Sequence, residues 1–232
     1  MRSKATFLVI IILVLSIFLV VYAKINFRHI EYASFFETSM YNYIGSEDSN
    51  NWTLEISYEH DLGLEGYFID ENIKSIDDLK KYSDYILIVS NETEPFIRGN
   101  SIINDCIINK VIKGDNIFTG DHINIYDLVY SLNKLSTNYI GGNTPLKIGD
   151  SYIVFLKKTT SASINNAYVF SSVKYGRVSL NENRGILKDY EYASASLKDI
   201  TNYDFVFSKK AGSEVDAYLK MVKKIRKYAN SI

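Results

Sequence analysis

The chain has 232 residues, 47% hydrophobic and 23% charged, with 26 Lys+Arg against 27 Asp+Glu. That length suits one domain with appendages, and the composition is too apolar for a disordered chain. Balanced charge argues against a nucleic-acid binder, which gains affinity by neutralising phosphates; the single cysteine, Cys106, excludes an internal disulfide and a cysteine-rich metal site.

From Phe7 to Ala23 the chain runs 17 residues without a charge, Gly or Pro, broken only by Ser16. This reaches the lower end of the roughly 17–25 residues that cross a bilayer as a helix. Arg2 and Lys4 precede the run, and Tyr22 stands where an interfacial aromatic belongs. Residues 1–23 are therefore read as a signal anchor, a transmembrane helix crossing once. A cleaved secretory leader, cut before Lys24, is the alternative and would leave the remainder secreted. The leading positive charges place the N-terminus in the cytoplasm and everything after residue 23 outside the cell membrane.

That exported part has 24 basic against 27 acidic residues. No cysteine follows the apolar run, which excludes lipoprotein anchoring. An exported domain with one thiol and no disulfide, rich in Ile, Asn, Lys and Tyr, fits a Gram-positive bacterial surface better than a eukaryotic secretory route. A Pro/Ser/Thr-rich stalk is missing, so the folded domain is expected close to the membrane.

Residues 24–75 read as a juxtamembrane extension. Ile30, Ala33, Phe36 and Met40 keep helical spacing before the polar break at residues 46–51. Trp52, Leu54, Ile56 and Tyr58 then alternate with polar residues as in a half-buried strand, and Asp61, Gly63 and Gly66 mark turns. Ser75 caps a short helix through about Lys81, with Asp77 and Asp78 in its first turn.

Over residues 76–208 the pattern is predominantly β. Tyr85 to Val89 is a short apolar run suited to a strand buried on both faces, interrupted at Glu94-Pro95; a second strand covers Ile102 to Ile112 and turns at residues 113–116. His122 to Tyr126 alternates cleanly. After a loop at residues 141–145, Ile148-Gly149-Asp150 turns into a strand from Ser151 to Leu156. Along it Tyr152, Val154 and Leu156 face one way and Ile153 and Phe155 the other, as in a central strand. Residues 167–173 and 177–180 flank Lys174-Tyr175-Gly176 as a hairpin. Gly114 and Gly149 supply positive φ at tight turns. Short strands joined by Gly/Asn/Asp turns predict a small antiparallel barrel or sandwich rather than a parallel α/β sheet.

The series Val111-Ile112-Lys113-Gly114-Asp115, Gly120-Asp121-His122-Ile123-Asn124-Ile125 and Leu146-Lys147-Ile148-Gly149-Asp150-Ser151-Tyr152-Ile153-Val154-Phe155-Leu156 follows Ser83 to Val89 in order. It resembles uncharacterised exported proteins and lipoproteins of Gram-positive bacteria, whose cores are small OB-like (netrin-like) β-barrels. The resemblance spans roughly residues 83–180 and implies that fold; it assigns no site and no activity. The chain departs from it in lacking a lipobox cysteine and in its long N-terminal extension.

Residues 209–232 read as a C-terminal amphipathic helix. Val215, Tyr218, Leu219, Val222 and Ile225 recur at spacings of three and four, Ser213 caps the start, and Glu214 and Asp216 sit in the first turn. Seven basic residues between Lys209 and Tyr228 face two acidic ones. They read as a solvated face of a packed helix, with contact to an anionic wall polymer or phospholipid headgroups as the functional alternative.

His60-Asp61 and Asp121-His122 are the candidates for metal or acid–base chemistry, but neither histidine has a second one nearby and no HExxH or GxSxG motif is present. Cys106 reads as a small buried hydrophobe. Asp77-Asp78 reads as a helix-dipole pair rather than paired catalytic carboxylates. Lys113-Gly114 lacks the rest of a phosphate-binding loop. The 19 tyrosines read as core rather than as a ligand platform. No catalytic, cofactor-binding or metal residue is assigned, and no cofactor is expected. The expectation is a mainly β (α+β), membrane-tethered, extracytoplasmic, non-enzymatic domain that binds an unknown protein or cell-envelope partner. An inhibitor- or immunity-type protein acting on a secreted enzyme, and an exported hydrolase with an unrecognised site, are the alternatives.

Overall fold

A computed structural model of the chain describes residues 38–39, 53–57, 72–98, 101–127, 129–132, 136–159, 167–190, 197–208 and 214–232. The expected membrane helix, the helical spacing of residues 30–40, the His60-Asp61 pair, the turns at 61–66 and the Ser213 cap lie outside them. Among the described residues no helix is long and apolar enough to cross a membrane.

In chain order the elements are β1 (Thr38–Ser39), β2 (Thr53–Ser57), α1 (Ile76–Tyr82), β3 (Tyr85–Asn91), β4 (Phe96–Arg98), β5 (Ser101–Lys113), β6 (His122–Tyr126) and β7 (Val129–Leu132). There follow β8 (Ser136–Ile140), β9 (Ser151–Lys158), β10 (Ala167–Phe170), β11 (Arg177–Ser179), β12 (Gly185–Tyr190), α2 (Leu197–Ile200), β13 (Tyr203–Ser208) and α3 (Glu214–Asn230).

Five of these strands close a barrel. β3 pairs with β5 and β5 with β6, both antiparallel, while β9 returns to lie between β3 and β10. β10 then closes the ring by pairing with β6 in parallel, Ala167 opposite Asn124 and Val169 opposite Tyr126. The closing seam corrects the all-antiparallel expectation. Between β6 and β10 the chain makes a long excursion through β7, β8 and β9, and such a crossover can bring a strand back in the same direction. Twice the register of β5 slips against β3, between Ile86 and Leu87 and between Ile88 and Val89. Extra residues on one strand bend it, as closing a small barrel requires.

The interior follows from side-chain alternation. Leu87 and Val89, Cys106 and Ile108, Ile123 and Ile125, Tyr152, Val154 and Leu156, and Tyr168 and Phe170 form one buried cluster. The odd-numbered partners on β9, Ile153 and Phe155, face outward into a second cluster with Ile86, Val178, Phe205 and Phe207 and with α3 residues Val215, Tyr218, Met221, Val222 and Ile225. Central placement of β9 is thus observed on both faces. Tyr218 is the aromatic hub of this outer layer, its ring 4.6 Å from Phe205, 5.4 Å from Phe207 and 5.9 Å from Tyr175.

Local signals act as the sequence indicates at several points. Asp78 N donates to Ser75 Oγ (3.2 Å), while the Asp78 carboxylate accepts from Lys74 N (3.1 Å) and Ser75 Oγ (2.8 Å), which closes the start of α1. Gly114 and Gly149 have φ of +137° and +83°. A Cβ at Gly114 would also fall 2.4 Å from Tyr85 Cδ1, so no other residue fits that turn without movement.

Two readings need correction. β10 and β11 do not form a hairpin; both pair antiparallel with β9, Phe170 opposite Leu156 and Arg177 opposite Val154. The intervening residues leave and rejoin one edge of β9 around Phe155, whose carbonyl accepts from Ser171 N (2.9 Å) and whose amide donates to Gly176 O (2.7 Å). On α3, Leu219 is 40% exposed and Met221 takes its place in the buried set. The C-terminal β12 and β13 also pair in parallel across α2, a small β-α-β unit that the turn pattern did not announce.

Candidate functional site: a cationic cleft above a buried charge cluster

Where the 180–184 turn, β13 and α3 meet, charged side chains are drawn inside. Asp204 on β13 is 5% exposed and joins three elements. Its Oδ2 accepts from Ser179 N at the end of β11 (3.1 Å) and lies 3.5 Å from Arg226 Nη2 of α3, while Oδ1 lies 3.8 Å from Arg184 Nη1. Arg184 also faces Asp150 at 3.6 Å and donates to the Tyr152 hydroxyl and to Tyr203 O. Arg226 Nε donates to Ser179 O (2.8 Å) and Nη2 to Asn181 O (3.3 Å). Arg177, 4% exposed, donates through Nη2 to the carbonyl and hydroxyl oxygens of Thr144.

Three guanidiniums against two carboxylates leave this cluster net positive. Arginine suits the role because its planar fork reaches several acceptors at once. Burial pushes the Tyr152 phenol up to about 12, opposed by the neighbouring Arg184 and Arg177 charges, so the ring enters the cluster uncharged at neutral pH. Burial likewise raises the Tyr218 phenol well above its ordinary value. With side chains only 3% and 4% exposed, Arg184 and Asp204 are withdrawn from solvent, and Arg226, 18% exposed, is the member that reaches the surface. What the cluster does is fix α3 against the barrel wall.

Above it, on the solvent side of Arg226, a cleft of about 650 Å³ opens along α3. Leu219 and Val222 give it an apolar floor; Lys223, Arg226 and Lys227 give it a cationic rim, with Asn230 and the carboxylate of Glu182 completing the wall. Three cations against one acid favour an anion, and the exposed Leu219 favours one that carries hydrocarbon.

The residues singled out from sequence are not brought together here. His122 Nδ1 stands 3.0 Å from Asp105 Oδ1 with its side chain 60% exposed, and Asp121 instead accepts from Phe118 N at 2.9 Å. Among the described residues no group of three His, Cys, Asp or Glu is placed to hold a metal ion. Cys106 is fully buried in the barrel and burial raises its thiol far above the ordinary range. Asp77 pairs with Lys80 (3.2 Å), whereas Asp78 turns back onto the helix start; hydrogen bonds from Ser75 and Lys74 hold its carboxyl below the usual range. Lys113 Nζ is committed to the carbonyls of Lys80 and Ser83. Tyr152, Tyr168, Tyr175 and Tyr218 all lie in the two cores.

Missed from sequence was the arginine cluster. The chain has only six arginines beside twenty lysines. Three of them converge here, so the choice of Arg in a Lys-rich chain was the available signal. No protein family and no curated protein matches the chain.

Proposed function

We propose that this protein is a membrane-tethered, extracytoplasmic, non-enzymatic module with an OB-like barrel, which binds a component of the cell envelope through its outer surface. The observation that carries the reading is the uncharged run from Phe7 to Ala23 in front of a folded β-domain. Support for the OB-like assignment comes from the strand order: with the five barrel strands numbered along the chain, the ring runs 1-2-3-5-4 and closes between the first and fourth, with the third and fifth parallel. Packed side chains fill the barrel interior, which leaves recognition to the outside and, first of all, to the α3 cleft.

Flotation of the native membrane fraction tests the tether. The full-length chain should float with membranes and resist extraction by high salt and by carbonate, and should be released by detergent. Release by salt alone would overturn the anchored reading.

A second reading, an inhibitor- or immunity-type module, is favoured by one side chain. Phe118 is 69% exposed at the tip between β5 and β6, and the backbone around it is held by Asp121 N to Phe118 O (3.1 Å) and Gly120 N to Ile108 O (2.8 Å). A rigid exposed aromatic is the kind of anchor that fills a partner's pocket. Capture of a single secreted enzyme from intact cells, lost on Phe118→Ala, would support that reading over the first.

A further inference from the structure

We propose that the exposed face of α3 docks on anionic phospholipid headgroups, the cleft beside Arg226 receiving a phosphate together with its attached hydrocarbon. This deepens the membrane-tethered reading and rests on it for the choice of ligand.

Lys220, Lys223, Lys224 and Lys227 are all exposed and follow one another at spacings that put them on a single helical face. None of the four makes a hydrogen bond or ion pair with another described residue, in contrast to Lys174, which pairs with Glu214 at 2.8 Å. From residue 217 to residue 230 the helix carries five cations and no acid, in a chain whose exported part is otherwise slightly acidic. Four uncompensated ammoniums along about 10 Å of helix repel one another, a cost that a surface of opposite charge removes. A lysine brought to an anionic lipid surface gains about fivefold in affinity.

The apolar contribution separates a lipid from a simple anion. Leu219, 40% exposed, borders the lysine face and with Val222 floors the cleft; Ile232, 45% exposed, lies just beyond the end of the helix. Nucleic acid fits poorly, because the remainder of the exported part carries excess negative charge. An acidic protein would match the lysines, but a tether in the same chain raises the effective concentration of the bilayer over that of any free partner.

The test uses the full-length chain with Lys224→Cys carrying a fluorophore; native Cys106 is fully buried and its thiol does not compete for label. The protein is reconstituted in vesicles of phosphatidylcholine alone, or of phosphatidylcholine with phosphatidylglycerol, each containing a headgroup-attached quencher. Quenching severalfold stronger in the phosphatidylglycerol vesicles is expected, reversed by high salt and lost when Lys220, Lys223 and Lys227 are replaced by Gln. Equal quenching in both vesicles overturns the docking, as does a fluorophore that responds to polyglutamate but not to lipid charge. Flotation on the neutral vesicles reports the tether separately. A chain that floats on them without charge-dependent quenching retains its anchor and loses the docking face. One that floats only on anionic vesicles retains the docking face and loses the anchor, and one that floats on neither overturns both.

Discussion

Successive residues of β9 look into two differently built regions. Val154 and Leu156 point into the barrel among Leu87, Ile108, Ile125 and Tyr168, whereas Ile153 and Phe155 point out toward α3 and β13. Hydrocarbon fills both spaces, and the charged cluster of Arg177, Arg184, Arg226, Asp150 and Asp204 borders the outer one, reaching the inner one through the Tyr152 hydroxyl. Apolar burial is non-directional, so it collapses a barrel without fixing what lies on it. Hydrogen bonds from guanidiniums to named carbonyls are directional, and those from Arg226 to Ser179 O and Asn181 O tie α3 to the end of β11. The cleft therefore depends on the charged edge, and the barrel does not.

The largest expected effects come from breaking either packing layer. Phe155→Ala should cost about 3–5 kcal/mol and Leu156→Ala about 2–5 kcal/mol in denaturant unfolding. The two side chains occupy different cores but share the β9 backbone, so a double-mutant cycle on them measures how far the cores are coupled through that strand. Strong coupling would mean that the cores are not independent.

Asp204→Ala tests the charged edge. It removes the carboxylate that Arg184 and Arg226 share, leaving them Asp150 and their hydrogen bonds, and should cost up to about 3–5 kcal/mol, the range for loss of one partner of a buried pair. Exchange of α3 amides should rise in this variant before exchange in β3 and β5, because the barrel keeps its own core. Uniform loss of protection in both regions would contradict the division drawn here.

Alkaline pH should act on the boundary between the two. The Tyr152 phenol is raised from 10 to about 12 in the folded state, so the fold holds that proton more tightly than the unfolded chain. Its contribution is fully present below about pH 10 and is lost as pH rises toward 12, about 3 kcal/mol over that window. Tyr152→Phe should be less stable at neutral pH, since Lys147 N and Arg184 lose their shared acceptor, and should show a shallower decline above pH 10. Unfolding midpoints at a series of pH values measure both. The smallest effect belongs to Ser75→Ala, which removes the cap of α1 and should cost about 1 kcal/mol.

Much of the barrel was legible because its strands carry their burial in period two. His122 to Tyr126 reads exposed, buried, half-buried, buried, half-buried, and the apolar stretch around Ile153 announced a strand covered on both faces. Pairing was not legible. Nothing in residues 167–180 distinguishes a hairpin from two segments laid along one partner strand, because the deciding bonds are made to Phe155, remote in sequence. The parallel seam between β6 and β10 was hidden for the same reason. Charge burial was the hardest to read, since Asp204 and Arg184 look like ordinary surface residues until β13 and the 180–184 turn are brought together. The α3 lysines were visible from the start, while the cleft beside them needed Glu182 and Arg226 to be placed.

Protease added to intact cells, followed by detection of the α3 end of the chain, tests the extracytoplasmic placement most directly. Degradation of the β-domain in intact cells, with a cytoplasmic control protein untouched, is the expected result. A full-length chain that survives protease in intact cells, is found in the soluble fraction after lysis and is cleaved only then would contradict it.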